Sequence, residues 1–527
     1  MTQYDDPGAA VEPPLLPSSR VDLPDEGTAE GPVGGTSPSE GPPSDPPSSG
    51  PAPPDPPSPS FEPAPPGPER PRPRRLRRAG LVLLVLLLAG GLGLGLALTA
   101  NRVLLADDSP APTPSPSASA SPPPSSAPET PSPSASPSPD PTAGRTQAVE
   151  DLLAARARAL QTKDRDLFMS TVDPTATDFY TAQGELFDRV AALEMAEWSY
   201  QVVGDGPALT LERAAALPPG SGIVRTRLTY KLAGTETTTD REQYLTAVQR
   251  DGRWLLASDT DASAAGLDTE RDLWDLGPVT AVRGDTSLVL ADTRGATKAQ
   301  MQRIADEADL AVRDVDDVWT GEWSHQPVIL LPRSQEDMAT LIDSDGDGLS
   351  QIAAVTTGSF ESGLSRGDRV VINPAAWNTL GALGRRVVLT HEMTHVATRA
   401  SGTQPVPIWL SEGFADYVAY RATPVPTVIV ASDVIADIHD GKGPKHLPDD
   451  ADFDASRGDI AASYESAWLA SRMIAEKYGE KKLVQLYSAL SDSAGPGWPD
   501  ETVDVLGITK AQLVREWKAY LREKAAA

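Results

Sequence analysis

Two neighbouring stretches decide how the chain is read: 387-VVLTHEMTHV-396 and, after a short gap, 409-WLSEGFADY-417. The first fits a helix over Arg385 to Arg399. On it His391 and His395 stand one turn apart, so both imidazoles can reach a single ion. Glu392, roughly 100° round the helix, addresses the adjacent coordination position. This is the geometry of a zinc site with a general base, although an isolated H-E-x-x-H also fits a helix with two structural histidines. The second stretch separates these readings. It places a carboxylate, Glu412, on a helix predicted to begin after Pro407. Asp416, one turn beyond, can hydrogen-bond the distal nitrogen of a ligand histidine and so fix its tautomer and ring orientation.

Composition narrows the chemistry. The 527 residues contain no cysteine, which excludes a disulfide scaffold, a thiolate-bound metal and a cysteine nucleophile together. Any metal must be held by histidine, aspartate or glutamate, and there are only five histidines, His325, His391, His395, His439 and His446. A net charge of -28 argues against a nucleic-acid partner, which would require clustered Lys and Arg.

The paired motifs resemble the gluzincin zinc metallopeptidases, in particular the M1-type and peptidase-MA-like members, which carry a similar Trp-Leu-x-Glu-Gly-Phe-Ala segment. The resemblance covers roughly residues 270–524 and is strongest around 385–420 and 460–490. It implies an α+β fold, a zincin-like domain in which a mixed sheet precedes a helical lobe. It also implies one Zn2+ held by His391, His395 and Glu412, a fourth position left for water, and Glu392 as the catalytic base. Further on, 462-ASYESAW-468 is similar to the M1-type Tyr-x-Lys-Gly segment, whose tyrosine hydroxyl stabilises the oxyanion. That match assigns the role to Tyr464, with packing at a helix start as the other reading. The M1 Gly-x-Met-Glu-Asn segment has no counterpart between Gly358 and Asn373, so strict aminopeptidase cleavage is not implied.

Outside this core the sequence changes character. Twenty-three of the 52 prolines precede residue 79 and 13 more lie between residues 107 and 144. Residues 1–78 are predicted to be a disordered Pro-rich tail, because they lack the apolar surface that would offset the entropy of ordering. Arginines at 70, 72, 74, 75, 77 and 78 then precede an uncharged run from Ala79 to Ala100, long enough to span the hydrocarbon layer. The positive-inside rule makes the tail cytoplasmic and everything beyond about residue 101 extracytoplasmic. A cleavable signal peptide would need a charged region of about eighty residues, against a usual total of 15–30. Residues 101–145 read as a Ser/Pro-rich stalk on the outer side of a single-pass cell-membrane protein.

From residue 146 to 262 the pattern is two helices, the second expected over Leu186 to Trp198, followed by strands at Ile223 to Leu232, Thr237 to Val248 and Trp254 to Ser258. Asp251-Gly252 provides a hairpin turn between the last two. Paired helices before a curved meander resemble the NTF2-like fold. This N-terminal α+β domain contains no histidine and no catalytic constellation, which makes it a structural or protein-binding module.

Beyond a linker near Ala262 to Gly266, a hairpin (Val279 to Val282, Ser287 to Ala291) is expected. A helix over Lys298 to Val318 and strands at Val328 to Leu331, Ile352 to Thr356 and Arg369 to Ile372 follow. The last is read either as an edge strand that captures an extended peptide or as an ordinary core strand. Asp343 to Gly348 begins like a calcium loop, but Ala354 stands where a bidentate Glu would be, so an acidic surface turn is the default. His439 and His446 flank a loop and are read as solvated, with a substrate or second-metal role as the alternative.

The expected function is a membrane-anchored, extracytoplasmic zinc metallopeptidase acting on a peptide or protein substrate. The alternative is a catalytically inactive peptidase-fold binding or sensor protein of the cell envelope.

Overall fold

The computed structural model describes residues 141–527, apart from 345, 347–348, 362–363, 454–459 and 493–497, together with Leu83 and Leu84. The expected tail, nearly all of the expected membrane segment and most of the stalk therefore lie outside the described residues, as do Asp345, Asp347 and Gly348 of the calcium-like loop. No described helix is long and apolar enough to cross a membrane.

Helix α1 (Pro141–Thr162) begins five residues before the expected boundary at 146. It is followed by α2 (Thr177–Ala191) and a four-stranded antiparallel sheet in sequential order, β1 (Met195–Asp205), β2 (Gly222–Leu232), β3 (Thr239–Arg250) and β4 (Arg253–Ser258). The turn between β3 and β4 is Asp251-Gly252, both with positive φ (50° and 76°), as a two-residue hairpin with right-handed strand twist demands. One expectation fails here. Trp198 does not end a helix but lies inside β1, because Trp198, Tyr200 and Val202 alternate with the two-residue period of a strand. Buried Trp198 stacks on Tyr230 of β2 at 5.6 Å between ring centres.

The second sheet is mixed. The hairpin β5 (Val279–Arg283) and β6 (Leu288–Asp292) leads into α3 (Lys298–Asp316), a crossover helix that returns the chain to β7 (Val328–Leu331), parallel to β6. Next comes the hairpin β8 (Ala354–Glu361) and β9 (Leu364–Ile372), with β9 parallel to β7. The spatial order β8-β9-β7-β6-β5 puts β9 between two neighbours. The edge-strand reading of Arg369 to Ile372 is thereby corrected: they belong to an interior strand, and β8 lies between it and the short edge strand Leu83–Leu84. There, Leu83 and Leu84 pair antiparallel with Thr356 and Val355.

The two sheets share one continuous apolar core, in which Trp198, Tyr230 and Trp274 join Val289, Ile329 and Val371. A buried polar knot ties them as well. Asp272 accepts hydrogen bonds from Tyr230 of β2 (2.7 Å), Arg241 of β3 (3.1 Å) and Arg369 of β9 (2.5 Å). Gly367, in a bulge of β9 with φ 71°, permits this approach, since a Cβ there would stand 2.8 Å from the Thr238 carbonyl oxygen.

The rest is helical: α4 (Ala382–Ser401), α5 (Ile408–Arg421), α6 (Ser432–His439), α7 (Ala461–Tyr478), α8 (Glu480–Asp492) and α9 (Lys510–Ala526), with shorter helices between. The observed architecture is α+β, a mixed sheet before a helical lobe.

Candidate metal centre

Helix α4 is buried on every side from Val387 to Arg399. Such a helix belongs to the interior of a fold, and here it lies between strands β8 and β9, helix α3 and helix α5. Arg386 ties it to Asp314 of α3, 2.5 Å away. A buried helix needs a reason to carry polar groups along its length, and that reason faces α5.

Helix α5 begins after Pro407, where the ring ends the preceding extended segment. It runs against α7 at very close range: a Cβ on Gly413 would lie 2.2 Å from the Ala467 carbonyl oxygen. Glycine at 413 is therefore required for the approach of α7, and with it of Tyr464, to α5.

Two turns of α4 and one of α5 bring three ligand-type atoms together. His391 Nε2 and His395 Nε2 are 2.9 Å apart, and Glu412 Oε2 lies 3.3 Å from the first and 3.6 Å from the second. All three residues are at most 2% exposed. Glu412 Oε2 makes no hydrogen bond of good geometry. Two imidazole nitrogens converging beside a buried carboxylate oxygen form a donor set that a cation can complete. A tetrahedral zinc with bonds of about 2.0–2.2 Å sets its ligand atoms roughly 3.3–3.6 Å apart; the two separations from Glu412 Oε2 match this, and the two imidazole nitrogens stand closer, at 2.9 Å. Two nitrogens and one oxygen, with no sulfur, also form a donor set that suits zinc. His391, His395 and Glu412 could hold the ion.

Asp416, one turn beyond Glu412, places Oδ1 2.8 Å from His391 Nδ1. The carboxylate holds a proton on Nδ1, so Nε2 is the atom that would give up its proton to a bound cation. Burial alone would lower the His391 pKa; Asp416 and then Glu412 outweigh it and lift the value to about 10. For His395 burial prevails over the attraction of Glu412 and brings the pKa to about 4, so this imidazole is neutral. Burial raises the pKa of Asp416 and is opposed by His391.

Glu392 is fully buried. Its Oε2 accepts a hydrogen bond from Thr356 Oγ1 at 2.5 Å, whereas Oε1 has no partner among the described residues. Burial, partly offset by His391 and Thr356, raises its pKa to about 7, near the value a general base needs. Tyr464, 7% exposed on the first turn of α7, borders a cavity of about 20 Å3 shared with Asp416, Tyr420, Glu465 and Trp468. Its pKa stands well above that of a free tyrosine, first through burial and then through the fields of Glu412, Asp416 and Glu392. Its phenol is thus held in the neutral, donating form.

The structure brings His391, His395, Glu412 and Asp416 together, with Glu392 beside them on α4, and places Tyr464 on a cavity that it shares with Asp416. Sequence reasoning missed Thr356, because a hydroxyl on a strand carries no signal of a helix 36 residues away. It also missed Glu465, which accepts the Val434 amide of α6 at 2.7 Å. Elsewhere, His439 Nε2 meets the Ala525 carbonyl at 2.7 Å, and the exposed His446 lies 3.6 Å from Asp452. With Asp449 these two form a second, solvent-exposed group of metal-type ligands. His325 pairs with Asp316 at 2.8 Å.

Among known proteins, no family model and no curated sequence matches the chain. Solved structures similar to it include the M1 zinc metallopeptidase from Deinococcus radiodurans, at 13% identity over 58% of this chain and 62% of that one, with a TM-score of 0.29. Another is a mutant of a two-domain M1 zinc metallopeptidase bound to L-arginine, at 12% identity over 58% and 61%, also with a TM-score of 0.29. The matches span about three-fifths of those chains. A likeness this distant carries no argument about function, which rests on the geometry of the site.

Proposed function

We propose that the protein is a zinc-dependent peptidase. The observation that carries this reading is the convergence of His391 Nε2, His395 Nε2 and Glu412 Oε2 beside the unpartnered Oε1 of Glu392. Three ligand atoms and a base with one open oxygen are what water-driven hydrolysis of an amide needs. When bound, zinc supplies Lewis-acid polarisation of the scissile carbonyl and acidifies water in the site.

The chain's own residues do the rest. Asp416 orients His391 so that Nε2 faces inward. Glu392 Oε1 takes a proton from water as the water oxygen bonds to the carbonyl carbon, and it passes that proton to the leaving nitrogen as the C–N bond breaks. The Tyr464 hydroxyl, kept neutral by its surroundings, donates to the carbonyl oxygen as that oxygen gains negative charge.

The anchor belongs to the same proposal. With residues 79–100 in the bilayer, a Pro-rich tail lies in the cytoplasm and a stalk holds the catalytic part outside. The NTF2-like domain (146–262) then stands between stalk and peptidase domain (270–524). In that arrangement Leu83 and Leu84 leave the edge of β8, which opens beside Thr356 for an extended peptide substrate.

The test is a peptide-library digest by the full-length, detergent-solubilised chain, with metal content measured in parallel. Cleavage that falls by at least about 10³-fold in Glu392→Gln, with zinc retained, supports the peptidase. Zinc without cleavage of any peptide overturns it in favour of a binding or sensor role.

A further inference from the structure

We infer that Thr356 is a positioning residue for the general base, its hydroxyl aiming Glu392 at the substrate water. The inference rests on the peptidase reading above and adds a residue that the zinc motifs do not contain. Thr356 is fully buried on β8 and paired in register with Val370 of β9, so its backbone is fixed by the sheet rather than by the helix that carries the base. Its β-branched side chain has restricted χ1 freedom, which holds the hydroxyl in one direction.

The contact is directional. Oγ1 lies 2.5 Å from Glu392 Oε2 and 3.1 Å from the backbone carbonyl oxygen of the same residue. The hydroxyl has one hydrogen, and the nearer, charged acceptor takes it. One carboxylate oxygen is thereby tethered while the other, Oε1, is left without a partner among the described residues in a buried site. A carboxylate free to turn would present either oxygen, or neither, to the water. The tether selects which oxygen works. The backbone carbonyl gives the same hydrogen a second acceptor. Once Oε1 holds the water's proton, Oε2 is the carbonyl oxygen of the acid and still accepts from the hydroxyl, so the side chain stays aligned through the transfer.

Thr356→Val removes the hydroxyl and keeps the shape, whereas Thr356→Ser keeps the hydroxyl and frees χ1. The full-length chain carries each variant, and three quantities are compared with wild type: zinc content, kcat and KM on a cleaved peptide, and affinity for a peptide hydroxamate, whose acidic hydroxyl needs the same aimed carboxylate. A hydrogen bond to an ionised acceptor corresponds to roughly 10–100-fold. We expect Val to lower kcat by that factor with KM and zinc content unchanged and to weaken the hydroxamate about 10-fold, and Ser to recover most of both losses. Wild-type kcat and hydroxamate affinity in Thr356→Val would overturn the inference. So would losses that track a lowered melting temperature and are not rescued by Ser. If the wild-type chain binds the hydroxamate but cleaves no peptide, the peptidase reading fails by itself, and the hydroxamate series still decides the role of Thr356. A zinc-loaded wild-type chain that binds no hydroxamate counts against both.

Discussion

Two buried polar clusters lie in this molecule and they are built on opposite principles. In the knot around Asp272, the carboxylate is satisfied by the chain itself: it takes hydrogen bonds from Tyr230, Arg241 and Arg369. In the centre around His391 the pairing is incomplete: Asp416 holds one side of His391, but two imidazole nitrogens converge on Glu412 Oε2, which lacks a hydrogen bond of good geometry, and Glu392 Oε1 lacks a partner among the described residues. Burial without pairing is expensive, so a fold retains it only where something else completes the group. The first cluster is finished by the chain and holds two sheets together. The second awaits an ion and a substrate.

This contrast can be broken at several points. The largest effect on stability is expected from Arg369→Ala, which leaves Asp272 buried beside one remaining guanidinium and Tyr230. Removing one partner of a buried ion pair costs about 3–5 kcal/mol, readable by urea denaturation. A much smaller loss would mean that the knot does not join the sheets.

Next comes Asp416→Asn at the other cluster. The amide removes the charge that fixes the His391 tautomer, and zinc affinity should fall about 10–100-fold, measured by competition with a chelator, while melting in excess zinc stays near wild type. An equal loss in Asp272→Asn would erase the distinction between the clusters.

The smallest effect concerns pH. Asp275 sits beside the knot, where burial and the neighbouring Asp272 carboxylate raise its pKa to about 7. A carboxyl whose folded pKa is raised binds its proton more tightly in the folded state. Its contribution to stability is present in full below about pH 4 and is lost as pH rises through about 7. Asp275→Asn should therefore flatten the decline in melting temperature between pH 5 and 8, because an amide does not ionise there. A decline that persists unchanged assigns it to other groups.

These clusters also show what a sequence can disclose. The metal centre is legible because its members lie on helices, where i and i+4 spacing and one-turn steps convert directly into geometry. His391, Glu392, His395, Glu412 and Asp416 need only two short windows. The order of the strands is not legible in the same way. Arg369 to Ile372 reads as a strand in either position, and only the parallel return through α3 to β7 places it inside the sheet with β8 beyond it. Trp198 misleads because a five-residue apolar-polar alternation after a helix is too short to stand out against the helical period. Neither Thr356 nor Asp272 leaves any trace, since each acts on residues 31 to 97 positions away through pairings that exist only in the folded chain.

The most direct test of the account is the metal content of the full-length chain, by elemental analysis after exhaustive dialysis, for wild type and His395→Ala. Close to one zinc per wild-type chain and almost none in the variant is expected, with the helical signal of the fold preserved. Wild-type protein that holds no zinc when loaded, or a His395→Ala chain that keeps its full complement, would contradict it.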